Sequence, residues 1–232
     1  MRSSLFRKLS AEYLGSLILV LTAISPTILG HQVLGGSVAM AVLMDGIAVG
    51  LVLFVLIEIL GPVSECHINP VVTLSMVISK KMDAGTGIFY IIVQFLGGLT
   101  GTMVSHLMFI HEQFYTLLTV SEVVRTGGTY IAEFVGTFML VLIIHGCMHT
   151  KSSRSGMIIG FFVGGFLITT SSTMFANPQV TVARIFTFAI AGIRPSDAIV
   201  FVIVEILGAL AATFFARVLF FSQRPDENTE GK

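Results

Sequence analysis

The feature that most constrains this chain is an Asn-Pro pair that interrupts an apolar stretch twice, once in each half of the sequence. Asn69-Pro70 lies in HINPVVT, and Asn177-Pro178 lies in FANPQVT. An Asn side chain caps the free amides of a first helical turn, and Pro is tolerated at the first helical position, so each pair predicts a short helix. In a membrane protein, broken segments at corresponding places in two halves indicate half-helices whose N-termini meet at the bilayer midplane.

The composition places the chain in a bilayer. Of its 232 residues, 54% are hydrophobic and 11% are charged, about half the charged fraction of a soluble domain. Six apolar runs are long enough to span, on the order of 20 residues each; they lie near residues 10–29, 38–60, 86–108, 129–149, 156–173 and 197–221. The first run shows no small-residue cleavage site, so it is interpreted as a span and not as a removed signal peptide.

The basic residues predict the orientation. Ten of the 13 lie on one side of a six-span arrangement: Arg2, Arg7, Lys8, Lys80, Lys81, Lys151, Arg154, Arg217, Arg224 and Lys232. Arg125, Arg184 and Arg194 lie on the other side, which puts both termini in the cytoplasm of an inner or plasma membrane. The tail at 222–232 is polar and is predicted to be disordered. The two cysteines, Cys66 and Cys147, form neither a disulfide framework nor a metal-ligand spacing.

The two halves of the chain can be laid over each other. Three pairs of segments match: AEYLGS at 11–16 with AEFVGT at 132–137, GIAVG at 46–50 with GMIIG at 156–160, and QFLGG at 94–98 with EILGA at 205–209. Three spans per half is an odd number, so the second copy enters the membrane from the opposite face as an inverted repeat. We expect one channel domain at 1–221, with repeats at about 9–109 and 129–221. The glycine pairs within these segments predict close helix contacts.

Over residues 9–221 the chain resembles the aquaporin and aquaglyceroporin family, the major intrinsic proteins. The resemblance is carried by residues 11–15, by GPVS at 61–64 leading into His67-Ile68-Asn69-Pro70, by Glu133, and by the pair at Asn177. It implies an all-α membrane fold of six tilted transmembrane helices and two re-entrant half-helices, with one pore per subunit of a homotetramer. Glu12 and Glu133 match the family's buried glutamates, which accept hydrogen bonds from the re-entrant loops.

The chain departs from the family at both pore motifs. The family pattern is Asn-Pro-Ala, whereas this chain has Val71 after Asn69-Pro70 and Gln179 after Asn177-Pro178. The third residue is not the pore donor in the family. We therefore expect altered packing where the half-helices touch, above all at the larger, polar Gln179.

A second departure concerns the outer selectivity filter. In most relatives an arginine follows the second motif, and here that position is Val180. Spacing from each Asn places Val49, Gly165 and Met174 at the other filter positions, so the predicted filter has no charge and no aromatic ring. Water would lose about 1–3 kcal/mol per unsatisfied group there, and Gly165 would widen the gap. Such a filter favours glycerol, urea or metalloid hydroxides such as arsenite.

Several ionisable residues lie near the predicted pore mouths. Arg184, four residues after Val180, either repels cations from the outer vestibule or forms a salt bridge with Asp45 or Asp197. At the inner mouth, Glu65, Cys66 and His67 form either a pH-sensitive gate or a satisfied vestibule pair.

Two further glutamates, Glu58 and Glu205, lie in mid-span. They could line the pore, pair across subunits or stay protonated, and the sequence does not decide among these roles.

The leading prediction is a passive channel for small uncharged solutes. The sequence shows no nucleotide loop, no paired carboxylates at catalytic spacing and no activated nucleophile, so we expect no enzyme activity, no cofactor, no metal and no nucleic-acid partner. Three alternatives stay open. A water-selective aquaporin shares the fold, a proton-coupled transporter would suit Glu58 and Glu205, and a structural tetramer would suit a pore blocked by Gln179.

Overall fold

The computed structural model describes residues 4–110 and 116–221, and the tail predicted to be disordered lies outside the described residues. The main helices are α1 (Leu5–Thr22), α2 (Val38–Ser64), α3 (Pro70–Ile78), α4 (Ala84–Met108), α5 (Gly128–Thr150), α6 (Ser155–Thr169), α7 (Pro178–Ala183) and α8 (Pro195–Phe221). After α1 the chain continues through a short turn, Ser25–Thr27, into a π-helical segment, Ile28–Val33. A 3₁₀ turn, Arg184–Phe186, follows α7. The described part of the chain is thus helical, as the fold prediction requires.

Five helical segments are long and apolar enough to cross a membrane: Leu5–Val33, Val38–Ser64, Ala84–Met108, Gly128–Thr150 and Pro195–Phe220. The sixth, α6, has 15 residues and is only about 22 Å long. The predicted span at 156–173 therefore ends early, at Thr169. The hydroxyls of Thr169 and Thr170 donate back to the carbonyls of Gly165 and Phe166, a local competition that favours leaving the helix.

The helices pack in a pattern that repeats between the two halves. Helix α1 packs along α4, and α5 packs along α8 in the same way. The corresponding helices α2 and α6 pack against each other, and the half-helices α3 and α7 meet. Each half-helix also contacts both α4 and α8, so it packs against a long helix of each half. This arrangement is the six-helix bundle with two re-entrant half-helices that the sequence predicts.

Helices α2 and α6 cross at glycines, where their backbones touch. A Cβ added at Gly160 would lie 2.6 Å from the Gly50 carbonyl oxygen, and one added at Gly164 would lie 2.8 Å from the Gly46 oxygen. Real Cβ atoms do not approach backbone so closely. The matching segments of the two repeats therefore need glycine because they form one close helix crossing.

We expect Gly160→Ala to destabilise the protein by about 1–3 kcal/mol, because the new methyl group overpacks a contact between two backbones. Gly165→Ala is the matched control on the same helix, since no atom lies within 4 Å of its added Cβ. Denaturation midpoints of both variants in detergent measure the difference. Equal midpoints for the two variants would contradict the crossing described here.

Candidate pore and selectivity site

Asn69 and Asn177 cap the two half-helices and tie them together. Each side-chain oxygen accepts from the backbone two residues on, Val71 N at 3.0 Å and Gln179 N at 3.2 Å. Each amide nitrogen donates across the junction, from Asn69 to the Ala176 carbonyl at 2.8 Å and from Asn177 to the Ile68 carbonyl at 2.9 Å. Pro70 and Pro178 occupy the first helical positions. Because an amide group carries two donor hydrogens, each Asn keeps one donor for the cavity, whose wall both residues join.

The loops that lead into the two half-helices follow the same backbone path. Positive φ angles occur four, three and one residues before each Asn, at Glu65 (71°), Cys66 (50°), Ile68 (39°), Thr173 (61°), Met174 (36°) and Ala176 (47°). This region is uncommon for residues other than glycine and costs of the order of 1–3 kcal/mol each. The surroundings must therefore hold both loops firmly.

Glu12 holds the first loop. Its carboxylate accepts from the backbone N–H groups of His67 at 2.9 Å and Ile68 at 2.7 Å. The Ser64 hydroxyl at 2.7 Å and the Gln94 amide at 2.8 Å donate to the same carboxylate. The group is fully buried, so its hydrogen bonds offset the cost of taking a carboxylate out of water.

Glu133 holds the second loop in the same way, accepting from Phe175 N at 2.8 Å and Ala176 N at 2.7 Å. Glu205 extends this support, since it accepts from Asn177 N at 3.2 Å and from the Thr181 hydroxyl at 2.7 Å. Its position in the repeat is that of Gln94, which contacts Glu12. The alignment of Glu205 with Gln94 in the repeat could therefore have predicted this role from the sequence. Glu58, by contrast, is an exposed residue of α2 whose carboxylate lies against Gly156 of α6.

A cavity of about 320 Å³ runs past the two Asn side chains. Its wall is mostly apolar and includes Leu19, Val49, Leu53, Ile57, Val72, Met76, Leu140, Ile144, Ile159, Val163, Leu167, Met174, Phe175 and Val180. Its polar side chains include Glu65, His67, Asn69, Asn177 and Arg184. Among the described residues, no cluster of three or more His, Cys, Asp or Glu side chains could hold a metal ion.

Of the four residues predicted to form the filter, Val49, Met174 and Val180 line this cavity, and Gly165 does not. Gly165 is exposed and stands about 200° round the helix from Val163, on the outer face of α6. The assignment of Gly165 is wrong because it counts back from Asn177 across a segment that has already left the helix. Val163 and Leu167 supply the α6 wall instead, and no glycine is among the described residues that line the cavity.

Gln179 is fully buried and stays out of the cavity wall. Its amide nitrogen donates to the Ile68 carbonyl at 3.2 Å, the acceptor that Asn177 also uses. Its side-chain oxygen faces Gly98 of α4, where an added Cβ would collide with it. Val71 is buried as well, in an apolar cluster with Val141 and neighbouring residues. The unusual third residues thus pack behind the pore and do not block it.

Arg184 lies in the wall beyond Val180 and is fully buried. Its Nη2 donates to the Ala23 carbonyl and lies 3.3 Å from the Asp45 carboxylate. The guanidinium also stacks on Phe175, with its carbon 4.2 Å from the ring centroid. The structure therefore contains the salt bridge to Asp45. Asp197 pairs with Arg194 instead, at 2.8 Å.

Glu65 and His67 lie together at the opposite mouth, with 3.7 Å between Glu65 Oε2 and His67 Nε2. The other ring nitrogen of His67 lies 3.1 Å from the Thr73 hydroxyl. The neighbouring His67 ring lowers the pKa of the Glu65 carboxyl, against the opposing effect of partial burial. Cys66 and Cys147 are free, buried thiols on the cavity wall nearby.

The contact between Gly98 and Gln179 predicts a coupled pair. Gly98→Ala should lower stability by about 1–3 kcal/mol, because the methyl group displaces the buried Gln179 side chain from Ile68. Adding Gln179→Ala should recover much of the loss, since it removes the colliding group. Detergent denaturation midpoints of the two single variants and the double variant give the coupling. Gly61→Ala, whose added Cβ meets nothing within 4 Å, is the control, and additive single effects would contradict the contact.

Solute flux should stay constant within about twofold between pH 5.5 and 7.5 on the Glu65 side. A lowered pKa keeps the Glu65 carboxylate ionised throughout this range, so the charge of this carboxylate at the pore mouth does not change. Vesicle shrinkage assays at fixed external pH measure this. A large drop at acidic pH that Glu65→Gln abolishes would instead identify a gate.

Comparisons with known proteins agree with this architecture. The family model described as Major intrinsic protein matches residues 1–214. The chain is 36% identical over 222 residues to Aquaglyceroporin AqpS of Rhizobium meliloti (strain 1021), covering 95% of this chain and 93% of that protein. It is 28% identical over 221 residues to Glycerol uptake facilitator protein-like 6 of Lactiplantibacillus plantarum, covering 92% of this chain and 98% of the relative.

The X-ray structure of the aquaglyceroporin from Plasmodium falciparum has the same fold. It superposes with a TM-score of 0.69 at 18% identity, covering 93% of this chain and 97% of that one. The helix packing, the paired half-helices and these similarities lead to one assignment. The chain belongs to the major intrinsic protein family and is a multi-pass membrane channel for the passive movement of small solutes.

Proposed function

We propose that this channel conducts small uncharged solutes larger than water, such as glycerol, urea or metalloid hydroxides including arsenite, with water as a lesser permeant. The observation that carries the proposal is the mostly apolar cavity wall, which includes Val49, Met174 and Val180. Water in contact with this wall forgoes hydrogen bonds, at about 1–3 kcal/mol per unsatisfied group. A larger solute with carbon or a soft atom regains part of that cost through contact with the wall.

The half-helices support exclusion of ions from the same pore. Their N-termini, capped by Asn69 and Asn177, each carry about half an elementary positive charge. A cation or migrating proton meets an unfavourable potential there, whereas a neutral hydroxyl finds donors in the Asn amides. The names of the similar proteins, an aquaglyceroporin and a glycerol uptake facilitator-like protein, agree with transport of a neutral polyol.

The same proposal includes the assembly and orientation of the channel. Residues 1–221 form one channel domain of two inverted repeats, about 9–109 and 129–221. Both termini face the cytoplasm of an inner or plasma membrane, with the Glu65 mouth on the inside and the Arg184 mouth on the outside. Four subunits form a homotetramer in which each carries its own pore. No chemical step is catalysed and no cofactor is used.

Stopped-flow measurements on proteoliposomes test the proposal with water, glycerol, urea and arsenous acid. We expect glycerol or arsenous acid to equilibrate faster than in protein-free vesicles, at an end point that does not depend on a proton gradient. Accumulation driven by a proton gradient would instead identify a coupled transporter. Water flux without solute flux would identify a water-selective channel, and no flux of any kind would identify a structural protein.

Val180→Arg should lower glycerol permeability at least tenfold relative to water, because a long cation then narrows the apolar wall and binds water. Val180→Ile is the matched control, since it adds volume without charge. The ratio of glycerol to water permeability in the same vesicles is the measurement. A ratio that Val180→Arg leaves unchanged would remove Val180 from the selectivity site.

A further inference from the structure

The cavity wall contains one fully buried guanidinium. Arg184 lies four residues beyond Val180, about one helical turn toward the outer mouth, and is only 1% exposed to solvent. Buried charges are rarely tolerated without partners. Its partners, and the donors they leave unused, therefore show what this arginine can do.

Three groups fix the guanidinium in place. The Asp45 carboxylate lies 3.3 Å from Nη2, and the Ala23 carbonyl accepts from the same nitrogen. The Phe175 ring lies under the guanidinium carbon at 4.2 Å, a cation–π contact. A second arginine, Arg125, stacks on the same ring at 4.7 Å but does not join the cavity wall. The side chain is thus preorganised, with little freedom left to lose when a solute binds.

These contacts leave donors free on the guanidinium. Both hydrogen bonds that the structure records for it use Nη2, so Nη1 keeps its donors for the cavity. Nε also has no partner among the described residues, but it is itself buried and out of reach of a solute. Arginine carries donors on all three of its nitrogens and no acceptor. The wall residues that it contacts, Ala23 and Phe175, offer a solute no side-chain N–H or O–H donor, so Arg184 is the strong donor available to a solute oxygen at this level of the cavity.

The salt bridge decides which solutes suit this site. Asp45 balances the charge of Arg184 inside a low-dielectric wall, so the pair is not a strong anion trap. It still presents N–H donors to the cavity. A neutral solute whose hydroxyl oxygens accept hydrogen bonds fits this arrangement, while a cation meets the nearer positive group and must shed its water against apolar side chains.

We propose that Arg184 is the specificity-determining residue of the outer pore, where it donates hydrogen bonds to the oxygens of small neutral polyhydroxylated solutes and repels cations. This inference rests on the proposed function. The hydrogen-bond donor of the outer pore then lies one helical turn beyond Val180, at Arg184. Asp45, Ala23 and Phe175 hold this guanidinium in position.

The test compares Arg184→Met and Arg184→Lys with the parent channel in proteoliposomes. The first readout is the permeability ratio of glycerol to 1,3-propanediol, which differ by one hydroxyl, so changes in pore width largely cancel. We expect Arg184→Met to lower this ratio about tenfold, the scale of one charge-assisted hydrogen bond, and to raise sodium or proton leak above the parent. Arg184→Lys keeps the charge but loses the planar fork, so it should lower the ratio severalfold and leave the leak unchanged.

Arg194→Gln is the matched control. It removes one positive charge from a partly exposed residue that pairs with Asp197 and does not line the cavity, so both readouts should equal those of the parent. If Arg184→Met fails to assemble, Arg184→Lys decides the question through the solute ratio alone.

Two outcomes overturn the inference, and only the second also overturns the proposed function. A parent that conducts glycerol, with an unchanged ratio and leak in the Arg184 variants, refutes the role of Arg184 and leaves the proposed function standing. A parent that conducts no test solute faster than protein-free vesicles refutes the proposed function, and this inference with it.

Discussion

Two buried carboxylates make the rest of this structure possible. Non-helical backbone at membrane depth is tolerated only where protein or a water-filled cavity satisfies its polar groups. Glu12 and Glu133 do this by accepting from the loops that precede the half-helices. With the loops held, Asn69 and Asn177 can reach across the junction to each other's loop carbonyls. The pore is therefore a consequence of hydrogen bonds made behind its wall.

Much of the fold could be predicted because its determinants are local or duplicated. An Asn-Pro pair specifies the start of a helix within two residues, whatever surrounds it. The repeat then supplies a second, independent observation of each element, including the paired carboxylates Glu12 and Glu133. Even the unassigned Glu205 has its explanation in the repeat, since it stands where the first half has Gln94. Local chemistry and symmetry together were enough for the architecture.

The parts that could not be predicted depend on geometry between elements. The position of a residue on a helix face depends on where that helix ends, and α6 ends at Thr169 instead of running to residue 173. Counting through the non-helical segment therefore placed Gly165 in the pore, although it faces outward. Where the Gln179 side chain packs depends on the space beside Gly98, a residue that is distant from it in the sequence. The sequence also could not predict which carboxylate pairs with Arg184, because the contact with Asp45 depends on how the helices pack.

The two loops that precede the half-helices share one backbone path but differ in the chemistry of their side chains. Cys66 and Met174 occupy equivalent positions with similar φ angles, as do Glu65 and Thr173, although their side chains have little in common. Backbone direction at these positions is imposed by the supporting carboxylates and not by the residues themselves. A thiol, a thioether and an acid can therefore line the lumen at Cys66, Met174 and Glu65 while the path of the chain stays the same. A channel built this way can acquire a new permeant through substitutions of the lining residues, because the backbone path does not depend on them.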